Sequence, residues 1–320
     1  MLLNTNFLEV INQRYGGQTN FTFNEATIGY HVDRWINNFN PGNSADIGTM
    51  IINKTGLKIT ATAGSKQQTI EQYIEDYKKL YGKNVTLSMK YRGNGKACLY
   101  LATLKYYSSS NMVSALPINK ELTCDGNWHT VNITGFIPND SDINYIFTGI
   151  GCGTSNGTGF NITTDSDIEV EWIKLEEGNI ATRYLIPYIH DELLHCRRYY
   201  QVRDGGSCDI LISSDGGTLD IRTWLVTPMR TNIISGNKIN LEWTWARVTG
   251  SKDIFKYGFM VGTDFGKFVS VSSCQPCIGN AVNVYCNWTD VMTLDKDLIS
   301  AELFNVRDLI IRIDCEIYIE

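Results

Sequence analysis

Alternation of apolar and polar residues with a period of two is the dominant pattern along the chain. It is clearest over residues 85–91, 168–173, 241–245 and 311–319. Such alternation places apolar side chains on one face of a β-strand and polar side chains on the other. Turn clusters rich in Gly and Asn separate these stretches, and the chain has 28 Gly but only 6 Pro. The pattern therefore predicts an all-β chain, with a final strand that pairs into a sheet.

A short helix is predicted near the middle of the chain. Residues 191–200 follow Pro187, and Asp191 is suited to capping the free amides of a first helical turn. Because 320 residues exceed the usual size of one domain, we place the domain boundary at this helix. The predicted organisation is a first domain over residues 1–187, a linker helix over 188–200 and a second domain over 201–320.

Charge and hydropathy exclude two classes of partner. The net charge is -6 and the pI is about 5.3, whereas a protein that neutralises phosphates needs clustered Lys and Arg. No apolar run approaches the roughly 18 residues that a membrane-spanning helix needs. We therefore expect no nucleic-acid binding, no membrane insertion and synthesis in a cytoplasm.

No catalytic constellation is evident in the sequence. Two of the three residues Asp33, Glu71 and Glu75 could form a glycosidase pair, but solvated surface or strand-edge roles are favoured. Cys274 and Cys277, with Cys286 nearby, have zinc-like spacing, yet an obvious fourth ligand is missing and free thiols are favoured. The nine cysteines are interpreted mainly as buried thiols.

Several short strings along the chain form an ordered set, and their order is more informative than any one of them. The most specific is residues 168–178 followed by Ala181 and Thr182, which resembles the family signature EWxKLExGxxAT. The other strings are residues 4–7, 11–14, 30–35 (a DRW element), 70–75, 85–91, 192–200 (an ELxxCxRYY linker), 228–231 (a PMR turn) and 313–317 (which resembles a DAEL strand). The matches are dense only over residues 1–91 and 167–200.

The family resembled is that of bacteriophage tail-fibre and receptor-binding proteins. This resemblance implies an N-terminal carbohydrate-binding-module-like jelly roll, a short linker helix and a C-terminal antiparallel β-sandwich. It also favours a strand over residues 69–75 and then one helical turn before Gly82, where periodicity alone favours a helix. The implied function is non-catalytic attachment of the virion to a bacterial surface polysaccharide. A polysaccharide depolymerase and a structural tail or baseplate adaptor are the alternatives.

The resemblance also sets the partners and the candidate residues. We expect a homotrimer in the phage tail, in contact with other tail proteins, with a chain contact at the linker formed by Leu193, Leu194, Arg197 and Tyr200. Trp35 and Trp172 are assigned to the jelly-roll core. The glycan-binding candidates lie in the divergent stretch of the second domain, where aromatic rings can stack on sugars, although packing in the core is favoured for them: Trp243, Trp245, Tyr257, Tyr285 and Trp288. Asp165, Asp167 and Glu169 are weak candidates for a structural calcium site, but a solvated acidic strand edge is favoured and no cofactor is expected.

Overall fold

The computed structural model describes residues 2–108, 111–155 and 160–204, together with later segments. These segments are residues 208–212, 218–224, 226, 239–242, 245–248, 269–270, 273–276, 281–287, 304–307 and 310–314. Beyond residue 201 only the backbone is described, apart from Val226. The chain divides into two compact units, residues 1–193 and residues 194–316, and the division falls within the predicted linker helix.

The first unit is built from fourteen described strands. In chain order they are β1 (Asn20–Phe23), β2 (Thr27–Val32), β3 (Trp35–Asn40), β4 (Gly48–Asn53), β5 (Gly56–Ala61), β6 (Gln67–Tyr73), β7 (Lys83–Asn94), β8 (Ala97–Ser108), β9 (Asn111–Leu122), β10 (His129–Ile137), β11 (Tyr145–Cys152), β12 (Thr154–Ser155), β13 (Phe160–Asn161) and β14 (Ser166–Glu177). Short 3-10 helices occur at Phe7–Glu9, Arg14–Gly17 and Tyr77–Leu80.

Two six-stranded antiparallel sheets form this unit. Sheet A has the order β1-β4-β5-β14-β7-β10, and sheet B has the order β2-β3-β6-β11-β8-β9; β12 and β13 form a separate hairpin. Many neighbours are distant in sequence, as in a jelly roll, because the chain crosses repeatedly between the sheets. The predicted all-β sandwich fold is confirmed.

The hydrophobic core lies between the two sheets. On β7 the alternation predicted from the sequence is present, since Val85, Leu87 and Met89 are fully buried. Trp35 is also fully buried, as predicted, and its indole N–H donates to the Asn4 carbonyl oxygen at 2.9 Å. The Phe7 ring packs against it with 5.3 Å between centroids, so the N-terminal segment closes one end of the core.

The segment before Gly82, for which the sequence leaves both a helix and a strand open, forms strand β6 and a short helical turn. Strand β6 covers Gln67–Tyr73 and pairs with β3 and β11, and a single 3-10 turn at Tyr77–Leu80 follows. Gly82 has a φ of +70°, a left-handed conformation that suits glycine at the end of a helical turn. Tertiary pairing thus overrides the helical spacing, and the predicted strand and turn are confirmed.

A bulge changes the face on which Trp172 lies. The pairing of β14 with β7 shifts between Val170 and Trp172, so one extra residue interrupts the alternation. Ile168, Val170 and Ile173 are buried, whereas Trp172 is half-buried on the outer side of sheet A. The assignment of Trp172 to the core was therefore wrong, because a strict period of two does not anticipate a bulge.

The helix α1 covers Ile189–Arg197, which is shorter than the predicted helix at its C-terminal end. The described strands of the second unit are β15 (Tyr200–Asp204), β16 (Cys208–Ile212), β17 (Thr218–Trp224), β18 (Ile239–Glu242), β19 (Trp245–Val248), β20 (Val269–Ser270), β21 (Ser273–Pro276), β22 (Ala281–Asn287), β23 (Phe304–Arg307) and β24 (Ile310–Asp314). They form antiparallel sheets of order β15-β24-β18-β20, β16-β17-β22-β21 and β19-β23. No helix in the described part of the chain has the length and apolar character that crossing a bilayer requires.

Candidate functional site

A row of paired residues crosses the outer face of sheet B. Glu71 on β6 pairs with Gly149 on β11, and Gly149 pairs with Tyr100 on β8. Since the intervening position is a glycine, the Glu71 and Tyr100 side chains share this face with no side chain between them. The aligned strands thus bring together a carboxylate and a phenol that are 29 residues apart in sequence.

Glu71 is the polar centre of this face. Tyr100 Oη donates to Glu71 Oε1 at 2.6 Å, and Thr69 Oγ1 donates to the same oxygen at 3.0 Å. Oε2 makes no hydrogen bond to the described residues. Glu71 is only 7% exposed, so this oxygen is an acceptor without a described protein partner in a nearly buried residue.

Burial dominates the electrostatics of Glu71. It raises the pKa of the carboxyl group because it penalises the charged form, while the hydrogen bonds from Tyr100 and Thr69 oppose that rise. The pKa of Tyr100 is raised as well, first by burial and then by the neighbouring Glu71 charge, so its hydroxyl stays protonated and can donate. The pair thus forms a fixed acceptor in a desolvated setting.

Glycines on β11 allow aromatic rings to lie close to the sheet. A Cβ atom at position 149 would lie 2.2 Å from Tyr100 Cζ and Oη, and one at position 151 would lie 2.9 Å from Phe160 Cε1. Both distances are too short for a real side chain. Gly149 and Gly151 are therefore needed for the positions of Tyr100 and Phe160, and this close approach lets Tyr100 reach Glu71.

Aromatic rings surround the polar centre. Tyr73 is buried, and its ring centroid lies 5.1 Å from that of Phe147 and 5.9 Å from that of Tyr145. Tyr100 lies 5.6 Å from Phe160. Tyr145, Phe147 and Phe160 are half-buried. Aromatic faces packed around an oriented carboxylate supply apolar contact and a directed hydrogen-bond acceptor, the combination that ligand pockets use. We call this set, with Glu71 and Thr69, the sheet B face.

The outer side of sheet A has a different character, because its charges already form pairs. Lys58 Nζ lies 3.3 Å from Asp167 Oδ1, and Lys90 Nζ lies 2.5 Å from Glu171 Oε2. Arg92 Nε lies 2.7 Å from Glu169 Oε2, and its guanidinium lies 4.8 Å from the Trp128 ring centroid. This face is a ladder of partly exposed ion pairs.

The predicted calcium ligands lie on this ladder or beside it. Asp167 is paired with Lys58, and Glu169 is paired with Arg92 and accepts a further hydrogen bond from Thr55. Asp165 accepts the backbone N–H of Ala63 at 2.8 Å. Within the described residues, no three acidic, His or Cys side chains converge as a metal site would require. Each candidate carboxylate thus has another partner in this structure.

The residues of the second unit that are predicted to bind glycan lie largely outside the described residues. Trp243, Tyr257 and Trp288 are not described, and for Trp245 and Tyr285 only the backbone is described. Trp245 lies in β19 and Tyr285 in β22, which belong to different sheets. Among the zinc candidates Cys274 lies in β21 and Cys286 in β22, while Cys277 is not described. These assignments stay predictions.

The predicted chain-contact residues do not share one helix face. Leu194 is 41% exposed and Leu193 and Arg197 are half-buried on α1. Tyr200 lies beyond the end of α1, in β15, and is buried within its own chain. The helix is shorter than predicted, which separates Tyr200 from the other three residues.

Sequence reasoning missed the sheet B face. It favoured a solvated role for Glu71, because the burial of a strand's polar side depends on what packs over it. The signal that points to this face is residues 149–151, where Gly149 and Gly151 alternate with the buried Ile150. Alternating glycines in a strand indicate close approach of other groups on that side.

Comparisons with known proteins give remote structural similarities. No protein-family model matches the chain, and no curated protein matches it. A solved structure of a family 4 carbohydrate-binding module (CBM4) is 14% identical, and the match covers 56% of this chain and all 100% of that chain with a TM-score of 0.31. The xylan-binding CBM22-2 domain of Paenibacillus barcinonensis Xyn10C is 12% identical over 50% of this chain and 98% of that domain, with a TM-score of 0.30. The enzymatically active domain of tailspike protein 4 from bacteriophage CBA120 is 12% identical over 49% of this chain and 19% of that chain, with a TM-score of 0.27. None of these similarities is high enough to assign a function.

Proposed function

We propose that the protein is a non-catalytic glycan-binding protein that attaches a phage virion to a bacterial surface polysaccharide, and that the sheet B face holds the sugar. The observation that carries this proposal is the Glu71 carboxylate. It is almost fully buried, Tyr100 and Thr69 fix one of its oxygens, and the other has no hydrogen-bond partner among the described residues. Such an acceptor suits a ligand rich in hydroxyl donors.

The geometry supports sugar binding in two ways. Glu71 Oε2 accepts a ligand hydroxyl, and the desolvated surroundings strengthen that hydrogen bond relative to one in water. Tyr145, Phe147 and Phe160 offer ring surface to the C–H faces of the sugar. Because Tyr100 and Thr69 already hold the carboxylate, little conformational entropy is lost when the ligand binds.

A single carboxylate favours binding over hydrolysis. Glycoside hydrolysis by the common mechanisms uses two carboxyl groups about 5 to 9.5 Å apart. The described hydrogen-bond partners of the Glu71 side chain are the Tyr100 and Thr69 hydroxyl groups rather than a second carboxyl group. This arrangement supports the non-catalytic assignment.

The resemblance of residues 168–182 to the phage tail signature supports the place of the protein in the virion. A tail fibre presents several copies of a weak site, and linked sites raise overall binding without any new contact. The proposal therefore includes a homotrimer in contact with other tail proteins.

A glycan array and a whole-cell binding assay test this function. We expect wild-type protein to bind at least one bacterial polysaccharide, and Glu71→Gln to weaken that binding about 10- to 100-fold, since a hydrogen bond to a charged group contributes about 1.5–3 kcal/mol. Glu177→Gln is the matched control, because Glu177 is an exposed carboxylate on sheet A.

Three results would contradict the proposal. Equal binding by wild type, Glu71→Gln and Glu177→Gln would show that the sheet B face does not hold the sugar. Release of reducing sugar from the bound polysaccharide would identify a depolymerase. Failure to bind any glycan or cell, with capture of virion proteins, would identify an adaptor.

A further inference from the structure

A pocket lies on the first unit at the outer side of sheet A. We call it the edge pocket, and its volume is about 250 Å³. The residues that line it are Asn6, Leu8, Glu171, Trp172, Arg183, Tyr184 and Ile186. Pockets for drug-sized ligands have volumes of roughly 300–1,000 Å³. The edge pocket therefore suits a ligand of a single ring.

The bulge in β14 creates this pocket. It rotates Trp172 out of the core, and the N-terminal segment then pairs beside it, through a bridge between Asn6 and Trp172 and a hydrogen bond from Ile173 N to Thr5 O at 3.1 Å. Asn6 and Leu8 are thereby placed next to the indole ring.

Hydrogen bonds among Lys174, Glu176 and Thr182, which we call the clasp, hold the opposite wall of the edge pocket, formed by Arg183, Tyr184 and Ile186. Glu176 accepts the backbone N–H of Thr182 at 2.9 Å and its hydroxyl at 2.6 Å, while Lys174 Nζ donates to the Thr182 carbonyl oxygen at 3.2 Å. Although partial burial opposes it, these bonds together lower the pKa of Glu176, so the clasp is charged at neutral pH. Lys174, Glu176 and Thr182 all belong to the phage tail signature, which therefore has a structural role in this chain.

The clasp returns the chain so that Tyr184 covers Trp172. Their rings are stacked, with centroids 4.6 Å apart and an interplanar angle of 3°. Tyr184 Oη lies 3.2 Å from Thr5 Oγ1, and burial raises the pKa of Tyr184 to about 12. The two rings form a fixed aromatic wall.

The polar groups of the edge pocket include an unpartnered amide. Asn6 is 8% exposed, its side chain makes no hydrogen bond within the described residues, and its carboxamide is not fully enclosed. Glu171 Oε2 contacts Lys90, and Arg183 is exposed. The pocket thus offers both hydrogen-bond donors and acceptors beside one ion pair and one exposed guanidinium.

We propose that the edge pocket binds a single neutral sugar residue, separately from the sheet B face. Sugar hydroxyls both donate and accept, as the Asn6 amide does, and the apolar face of a pyranose fits beside the aromatic wall, Leu8 and Ile186. This site uses the opposite outer face of the sandwich from Glu71, so the two proposals fail independently.

Titration with methyl glycosides of glucose, galactose, N-acetylglucosamine and rhamnose, followed by NMR of the tryptophan indole N–H signals, tests the proposal. Comparison with Trp172→Phe assigns the Trp172 signal. We expect at least one glycoside to shift that signal saturably, with a dissociation constant on the order of 1 mM for so small a ligand.

Two neighbouring exposed residues give a matched pair of variants. Ile186 is 65% exposed and lines the pocket, whereas Leu185 is 75% exposed and does not. We expect Ile186→Asp to weaken glycoside binding about tenfold or more, and Leu185→Asp to leave it within about twofold.

Other outcomes would overturn the proposal. No saturable shift at about 50 mM glycoside, far above the expected constant, would show that the pocket holds no sugar. Equal effects of Ile186→Asp and Leu185→Asp would place any binding elsewhere. A fall in light-scattering mass with Ile186→Asp alone would identify a second copy of the chain as the occupant.

Discussion

Replacing Gly149 by alanine tests whether the Tyr100 ring must lie directly on β11. The new Cβ would lie 2.2 Å from Tyr100 Cζ and Oη, so the ring must move. That movement takes the hydroxyl away from Glu71 Oε1, to which it now donates at 2.6 Å. One methyl group thus disturbs both the packing of the sheet B face and its central hydrogen bond.

Two effects set the size of the expected change. Overpacking of a well-packed site costs about 1–3 kcal/mol, and loss of a hydrogen bond to a buried carboxylate costs about 1.5–3 kcal/mol. These costs overlap, so we expect the free energy of unfolding to fall by about 2–5 kcal/mol. For a unit of this size the melting temperature should fall by roughly 5–15 °C.

Differential scanning calorimetry of Gly149→Ala and Gly29→Ala measures this difference. Gly29 lies in β2 of the same sheet, and the nearest atom to a Cβ there is His31 Cε1 at 3.8 Å, an ordinary contact. Gly29→Ala should therefore melt at or slightly above the wild-type temperature. Equal melting temperatures for the two variants would refute the packing described for Tyr100.

Three further predictions concern charge. Burial raises the folded-state pKa of Glu71 above its ordinary value of 4.5, so the stability of the wild-type protein falls as pH rises above 4.5. The melting temperature of Glu71→Gln minus that of wild type should therefore increase from pH 4.5 to 7. A constant difference over this range would contradict the prediction. Hydrogen bonds from Arg92 and Thr55 lower the pKa of Glu169, although burial opposes this shift, so the stability that the charged carboxylate contributes is lost as pH falls through the lowered pKa. On acid titration, Arg92→Met should lose less stability than wild type. An equal loss would contradict the pairing. Because Asp167 and Glu169 are paired with Lys58 and Arg92, EDTA should leave the melting temperature unchanged. A clear fall in the melting temperature would support the predicted calcium site.

Much of the fold can be predicted from the sequence, because local alternation and packing agree there. On β7 the apolar positions of residues 85–91 all face the core. Trp172 departs from the prediction because the bulge is set by how β14 pairs with β7, which no single strand encodes. Tyr200 departs because α1 ends at Arg197.

The candidate site was harder to predict than the fold. Glu71, Gly149 and Tyr100 lie on three strands, and their meeting depends on the sheet order β6-β11-β8 and on the register of both pairings. Each residue alone has an ordinary surface or core interpretation. A carboxylate in a strand therefore acquires its chemistry only when the neighbouring strands are known.

The most direct test is a crystal structure of the protein with an oligosaccharide selected from the glycan array. We predict sugar density on the outer face of sheet B, with a hydroxyl about 2.7–3 Å from Glu71 Oε2 and a ring against Phe147 or Phe160. Density confined to the second unit, with the sheet B face unchanged, would contradict the account.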